Sequence, residues 1–233
     1  MFRRQHHQQI AHVLQALDAS VLREHHCYFG GGTAIVLLSG EYRESVDIDF
    51  RVSDIDAYRA LRRQLQEKQA LGHLFGIGRG PLLDVPEVRA DQYGIRTMLQ
   101  TAATRIKFEI VFEARIAFDE PGPGDQIVGV TTLTAIDLAA SKLLANVDRG
   151  ADAGVFSRDV IDLAMLKLSK RDWGKAFEKA ASAYGDAVKR DIHKSVERLR
   201  RHPDRLAVCL GALAVDLPQA MVLDRLKRLA SRC

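Results

Sequence analysis

The chain is short of cysteine, with three in 233 residues, at positions 27, 209 and 233. So odd and scattered a set builds neither a disulfide framework nor a zinc site, and it suits a reducing compartment. Nowhere do apolar residues run on for the roughly 20 positions that crossing a bilayer needs. The opening MFRRQHHQQIAHVLQALDAS lacks the apolar core of a secretory signal. The expectation is a cytoplasmic protein with no membrane partner. Internal repeats and low-complexity tracts are missing as well. Strong net charge is also absent, at +4 with an isoelectric point near 9.0. The basic excess gathers in the last fifty residues, where KRDIHKSVERLRRHPDR and LDRLKRLASR are either solvated helix faces or a surface for an RNA backbone. What remains is an ordinary globular composition, 47% hydrophobic and 27% charged, on a chain long enough for one large domain or two small ones.

Against that plain background one stretch stands out, YFGGGTAIVLLSGEYRESVDIDF from Tyr28 to Phe50. Tyr28 and Phe29 close a strand, and Gly30, Gly31 and Gly32 make a turn that lets another group approach the backbone. Residues 33–38 continue as a short helix, whose unpaired N–H groups form an anion site. In Val46-Asp47-Ile48-Asp49-Phe50 the acids alternate with apolar residues at strand period, so Asp47 and Asp49 share a face. Two adjacent carboxylates repel unless a cation lies between them. Mg²⁺ takes hard oxygen ligands and substrate phosphates together. A phosphate cradle followed by a metal-binding acid pair points to phosphoryl or nucleotidyl transfer.

The same residues resemble the signature of the nucleotidyltransferase superfamily with the DNA polymerase β-like fold, a small-residue turn followed by hydrophobic-Asp-hydrophobic-Asp-hydrophobic. The GGTA opening with Arg43, Ser45 and DIDF is similar to the AbiEii/AbiGii branch, the toxin half of type IV toxin–antitoxin systems. Downstream, LAASKLLANVDRG and SRDVIDLAML resemble that branch's later motifs through Asp137, Lys142, Arg158 and Asp162. The likeness runs from about Phe29 to Leu166. The chain departs from many members in being shorter, and from many transferases in reading Gly-Gly-Thr where they have Gly-Ser.

Elsewhere the pattern is simpler. Residues 3–24 carry helical spacing, with His6, His7 and His12 on a polar face that is expected to be exposed. Ser53-Asp54 begins an amphipathic helix as an N-cap, and GIGRG at 76–80 is a turn without P-loop chemistry. Residues 82–130 alternate like strands, with hairpin turns at 92–94 and 102–103 and a loop at Pro121-Gly-Pro-Gly-Asp125. Six helical segments follow from Thr134. The expected fold class is α+β: an N-terminal nucleotidyltransferase fold over 1–130, with a mixed β-sheet flanked by helices, then a C-terminal helical bundle over 131–233 completing the cleft.

The resemblance implies a third acid on a strand beside Asp47 and Asp49, and Glu109 fits best, with Glu113 competing. It implies Mg²⁺ or Mn²⁺ on Asp47, Asp49 and Glu109, and a nucleoside triphosphate cradled by Gly31, Gly32 and Thr33, with Arg43, Ser45, Lys142 and Arg158 also on the nucleotide. Lys142 would neutralise the leaving pyrophosphate. Arg43 would touch a phosphate or brace the acids, and Asp162 would orient the acceptor or hold Lys142, with Arg158 paired to it at i, i+4. The implied reaction is nucleotide transfer to RNA, at the 3′ acceptor end of tRNA, by a toxin with a separately encoded antitoxin. Transfer to an aminoglycoside-like small molecule or a protein, and a binding module without chemistry, stand as the other readings.

Overall fold

The computed structural model describes residues 2–67, 71–75, 88–101 and 103–233. The expected turn at 76–80, most of the strand expected from 82, and Ala102 of the second hairpin turn lie outside them. The chain forms two units, one of residues 1–38 and 45–134 and the other of 39–44 and 135–233. Residues 39–44 leave the first unit and return to it at Ser45. Loop 121–125 belongs to the first unit, and the chain crosses to the second after Thr134.

The first unit opens with two helices, α1 (Gln5–Ala16) and α2 (Ala19–Glu24). One expected helix becomes two because the Asp18 carboxylate accepts from the N–H groups of Ser20 and Val21, capping a fresh start. Strand β1 (Tyr28–Phe29) leads into α3 (Gly31–Leu38). After the excursion come β2 (Ile48–Val52), α4 (Ile55–Glu67), β3 (Arg89–Ala90), β4 (Gly94–Gln100) and β5 (Arg105–Phe112). Asp54 caps α4 through the N–H groups of Asp56 and Ala57.

These strands make a mixed sheet in the order β1-β2-β5-β4-β3, with β2 and β5 parallel and the other pairs antiparallel. Strict alternation in β5 buries Ile106, Phe108 and Ile110 and turns Lys107 and Glu109 to the other face. Phe29, Phe50 and Phe108, from three neighbouring strands, stack in a row with ring centroids 5.4 and 5.7 Å apart. A small hairpin, β6 (Gln126–Ile127) and β7 (Val130–Thr131), turns at Val128 and Gly129, both with positive φ.

The second unit is helical: α5 (Ala135–Arg149), α6 (Arg158–Met165), α7 (Lys170–Tyr184), α8 (Ala187–Arg201), α9 (Pro203–Ala212) and α10 (Gln219–Ala230). Helix α5 is its centre, packed by α6, α7 and α8. Polar Asp137, Lys142 and Asn146 are buried there along with the apolar face, so the helix interior has to satisfy charge as well as volume. Helix α8 shows ordinary amphipathicity, burying Val188, Ile192, Val196 and Leu199 beneath a basic outer face. No described helix is long and apolar enough to cross a membrane.

Candidate active site

The sheet edge where β1 meets α3 brings the glycine turn and the acids together. Gly31 has φ +68°, and a Cβ built on it would lie 2.4 Å from Asp49 Oδ2. The carboxylate of Asp49 therefore fills the place of a side chain against the start of α3, and only glycine permits both the backbone angle and the approach. The Gly30 N–H donates to the Asp49 carbonyl at 2.8 Å and locks the turn to β2. Gly32 follows, half-buried, in the first turn of α3.

One level across the sheet, Asp49 pairs in register with Glu109 of β5, and Glu109 with Arg96 of β4. Glu109 lies 3.3 Å from Arg96 Nε and 2.9 Å from Lys107 Nζ. Asp47, half-buried just before β2, has a carboxylate with no hydrogen-bond or ion-pair partner among the described residues. Glu113, the competing third acid, is spent elsewhere. It is 3% exposed and gripped bidentately by Arg115, with Arg51 at 3.7 Å. Burial pushes its carboxyl up, but the Arg115 side chain and backbone N–H and the charge of Arg51 outweigh it and hold the group below the usual range.

Hard carboxylate oxygens suit Mg²⁺ or Mn²⁺, and the half-buried carboxylates of Asp47 and Asp49 fit such an ion by chemistry. Among the described residues no three His, Cys, Asp or Glu groups converge on one point. Glu109 is held instead by two cations that are themselves 38% and 47% exposed. Ion pairs of that kind contribute only about 0–1 kcal/mol, so a divalent ion can displace them.

Thr33 does not face a phosphate. It is fully buried, and its hydroxyl donates to the Asp47 carbonyl at 2.5 Å. With that proton committed, the Ser45 hydroxyl donates to Thr33 Oγ1 at 2.8 Å. Helix α1 adds two further ties. His7, fully buried rather than on an exposed face, accepts the Ser45 N–H at Nε2 (3.2 Å). His6 Nε2 donates to the Val46 carbonyl at 3.0 Å. Thr33, Ser45, His6 and His7 thus fix the loop that presents Asp47.

In the helical unit Arg43, Lys142 and Asp162 do come together, but as a buried network. Asp162 is fully buried and accepts from the Tyr42 hydroxyl (2.5 Å), Arg43 Nε (2.7 Å), Arg43 Nη2 (2.9 Å) and Lys142 Nζ (2.6 Å). Lys142 Nζ also binds Asp159 at 2.8 Å, and Arg149 closes on Asp159 bidentately. Burial would raise both carboxyls, but Arg43 and Lys142 around Asp162, and Lys142 and Arg149 around Asp159, hold them below their ordinary values. Tyr42 is pushed up by burial and by the neighbouring Asp162 charge, so its proton stays on and donates.

Lys142 is accordingly saturated rather than mobile, and Arg43 braces Asp162 rather than Asp47 or Asp49. Arg158 does not pair with Asp162 across the helix turn, since all the contacts of that acid are taken. It stands half-buried with no ion-pair partner among the described residues. It follows two residues in the left-handed region, Phe156 and Ser157, a conformation that costs about 1–2 kcal/mol per residue. Asp137, fully buried, is paired with Lys179 at 2.6 Å.

Comparison with known proteins places this geometry. The sequence model described as "Nucleotidyl transferase AbiEii toxin, Type IV TA system" matches residues 12–222. Among solved structures the chain is similar to JHP933 from Helicobacter pylori, with a TM-score of 0.56 and 16% identity over 100% of this chain and 94% of that one. That likeness bears on the fold alone. A candidate nucleotidyltransferase from H. pylori gives a TM-score of 0.47 at 14% identity, over 97% of this chain and 94% of that one. No curated sequence matches. With the family match running over nearly the whole length, the chain belongs to the AbiEii family of nucleotidyltransferase toxins of type IV toxin–antitoxin systems.

Proposed function

We propose that the protein moves a nucleoside monophosphate from a nucleoside triphosphate to the 3′ hydroxyl of tRNA, in a Mg²⁺-dependent reaction centred on Asp47 and Asp49. One observation carries this reading. The Asp49 carboxylate lies against side-chain-free Gly31 at the start of α3, in register with Glu109, and the Asp47 carboxylate, without a partner among the described residues, is two residues away.

Asp47 and Asp49 would hold the cation, with Glu109 able to complete the set if it left Arg96 and Lys107. When bound, the ion neutralises triphosphate charge and lowers the pKa of an acceptor hydroxyl. The backbone N–H groups at Gly31 and Gly32 are the chain's own anion donors at the start of α3. Arg96 and Lys107, if Glu109 left them, would be free to meet phosphate oxygens. The acceptor oxygen forms a bond to the α-phosphorus, the bond from that phosphorus to the β-phosphate oxygen breaks, pyrophosphate leaves, and the hydroxyl proton passes to solvent. Thr33, Ser45, His6 and His7 keep Asp47 in place throughout and touch no substrate.

The test is incubation of the protein with Mg²⁺, total tRNA and each α-labelled nucleoside triphosphate in turn, beside Asp49→Asn. Label in tRNA with wild type alone is the expected result, and it names the nucleotide. Label reaching only small hydroxyl compounds replaces the tRNA acceptor. Equal labelling by Asp49→Asn overturns the acid-pair mechanism. A separately encoded antitoxin is the expected partner, and growth arrest on expression of the wild type, relieved by that antitoxin and absent for Asp49→Asn, checks the toxin role.

A further inference from the structure

The helical unit contains a cleft of about 460 Å³ between the end of α6, the turn after it, and helices α7 and α10. Lys167, Arg225, Arg228 and Arg232 line it together with apolar residues that include Leu229 and Trp173, and no Asp or Glu is among its described lining. Such a volume suits a small ligand or one segment of a larger one.

Its cations are poorly satisfied. Arg225, half-buried, sends its guanidinium N–H groups to the thioethers of Met165 (2.9 Å) and Met221 (3.8 Å), which are weak acceptors. Arg232 rests on the Leu168 carbonyl (3.1 Å) and over the Trp173 ring (5.8 Å). Neither arginine has a carboxylate partner among the described residues. Arg228 alone is paired, with Asp224, where both are well exposed and the pair is correspondingly weak. Trp173 is 2% exposed, and its indole N–H is buried with no acceptor among the described residues. A buried donor in that state costs about 1–3 kcal/mol. Positions 225 and 228 are spaced at i, i+3 on α10, and Arg232 follows two residues past the helix end, so three guanidinium groups line the same cleft. The apolar wall beside them lowers the local dielectric and strengthens any charge-assisted contact.

We infer that this cleft is a phosphate-binding site, separate from the acid pair. Three guanidinium groups and a lysine match a multiply charged phosphate group better than a single carboxylate. The phosphate belongs either to an RNA strand or to a free nucleotide or pyrophosphate.

Trp173 is the sole tryptophan of the chain, so its emission reports on this cleft. The experiment titrates Asp49→Asn protein, which isolates binding from transfer, with a short single-stranded oligoribonucleotide, with ATP, with pyrophosphate and with a poly-glutamate peptide. At least one phosphate probe is expected to shift Trp173 emission, and Arg225→Met to weaken it about tenfold or more without changing the melting temperature. A response to the oligoribonucleotide alone, with a slope of about −2 to −3 in log K against log salt, assigns an RNA strand. A response to ATP or pyrophosphate assigns a free phosphate ligand. If Arg225→Met does not fold, exposed Arg228→Gln carries the same comparison. Poly-glutamate binding as well as the phosphate probes, no response to any probe, or a response unchanged in both arginine variants overturns the proposal. None of these outcomes depends on whether the acid pair transfers nucleotide.

Discussion

In the sheet unit, Asp47, Asp49 and Glu109 sit half-buried, and the cations near Glu109 are exposed and replaceable. In the helical unit, Asp159 and Asp162 are buried, and every oxygen is met by Arg43, Lys142, Arg149 or Tyr42. The residue types are the same. Burial separates the two clusters: a carboxylate reached by water can exchange one cation for another, while a buried one is committed to the partners that neutralise it. Sequence motifs join Asp47, Asp49, Glu109, Lys142 and Asp162 into one catalytic list, and burial sets Lys142 and Asp162 apart from the other three.

The sharpest way to break this division is Asp49→Asn beside Asp162→Ala. Asp49→Asn removes a charge and almost no volume, so transfer into tRNA is expected to fall by on the order of 10³-fold, the scale of losing one charged group at a reaction centre, with melting unchanged. Asp162→Ala leaves Arg43 buried without a counter-charge and Lys142 with Asp159 alone, and is expected to cost about 3–5 kcal/mol, seen as a drop in urea midpoint. Lys142→Met lies between them, and its activity should fall in step with its stability. Lost activity at an unchanged midpoint would place Lys142 on the substrate instead.

Acid titration separates the clusters without mutation. The folded-state pKa values of Asp159, Asp162 and Glu113 are depressed by their cations. Each therefore contributes stability that is complete above its unfolded value near 4 and is lost as pH falls through the folded value. Wild type is expected to lose urea stability only below about pH 4, and Asp162→Ala to show a shallower dependence there. An equal slope in the two proteins would remove Asp162 from the account.

Much of this was legible in the chain. Strand alternation in β2 and β5 was readable because period-two patterns are local, and the register sets Asp49 beside Glu109, the acid the resemblance implied, with Asp47 just before β2. The helical half followed from spacing in the same way. The fate of Lys142 was also partly written in LAASKLLANV, where a lone lysine in an apolar run has to be buried and paired, as do acids set in DVIDLAM. Which cation meets which acid was not readable, because Arg43 and Asp162 are 119 residues apart. His7 was misplaced on an exposed face for the same reason: its partner Ser45 lies 38 residues on, and nothing in QHHQQ marks one histidine of the pair as buried.

Gly31→Ala tests the cradle more gently. The added methyl meets the Asp49 carboxylate inside van der Waals contact, and φ +68° costs an alanine about 1–2 kcal/mol. Transfer should fall further than that strain alone accounts for, because Asp49 has to move. Gly40, whose φ is +80° with nothing within 4 Å of a built Cβ, supplies the control: Gly40→Ala carries the backbone strain without touching an acid. Matching losses in the two variants would mean that strain, not the position of Asp49, sets the activity.

The smallest effects belong to the ties on the Asp47 loop. Thr33→Val keeps shape and deletes the hydroxyl that donates to the Asp47 carbonyl, at an expected cost of about 1 kcal/mol. His7→Gln keeps an acceptor for the Ser45 N–H, whereas His7→Leu leaves that donor unmet. If these side chains place Asp47, all three variants raise the Mg²⁺ concentration needed for half-maximal transfer, and His7→Gln recovers part of what His7→Leu loses. A uniform fall in stability with the Mg²⁺ requirement unmoved would make them core packing and nothing more. The fully buried position of both side chains allows either result, but only a placed Asp47 connects a hydroxyl on α3 and an imidazole on α1 to the same metal requirement.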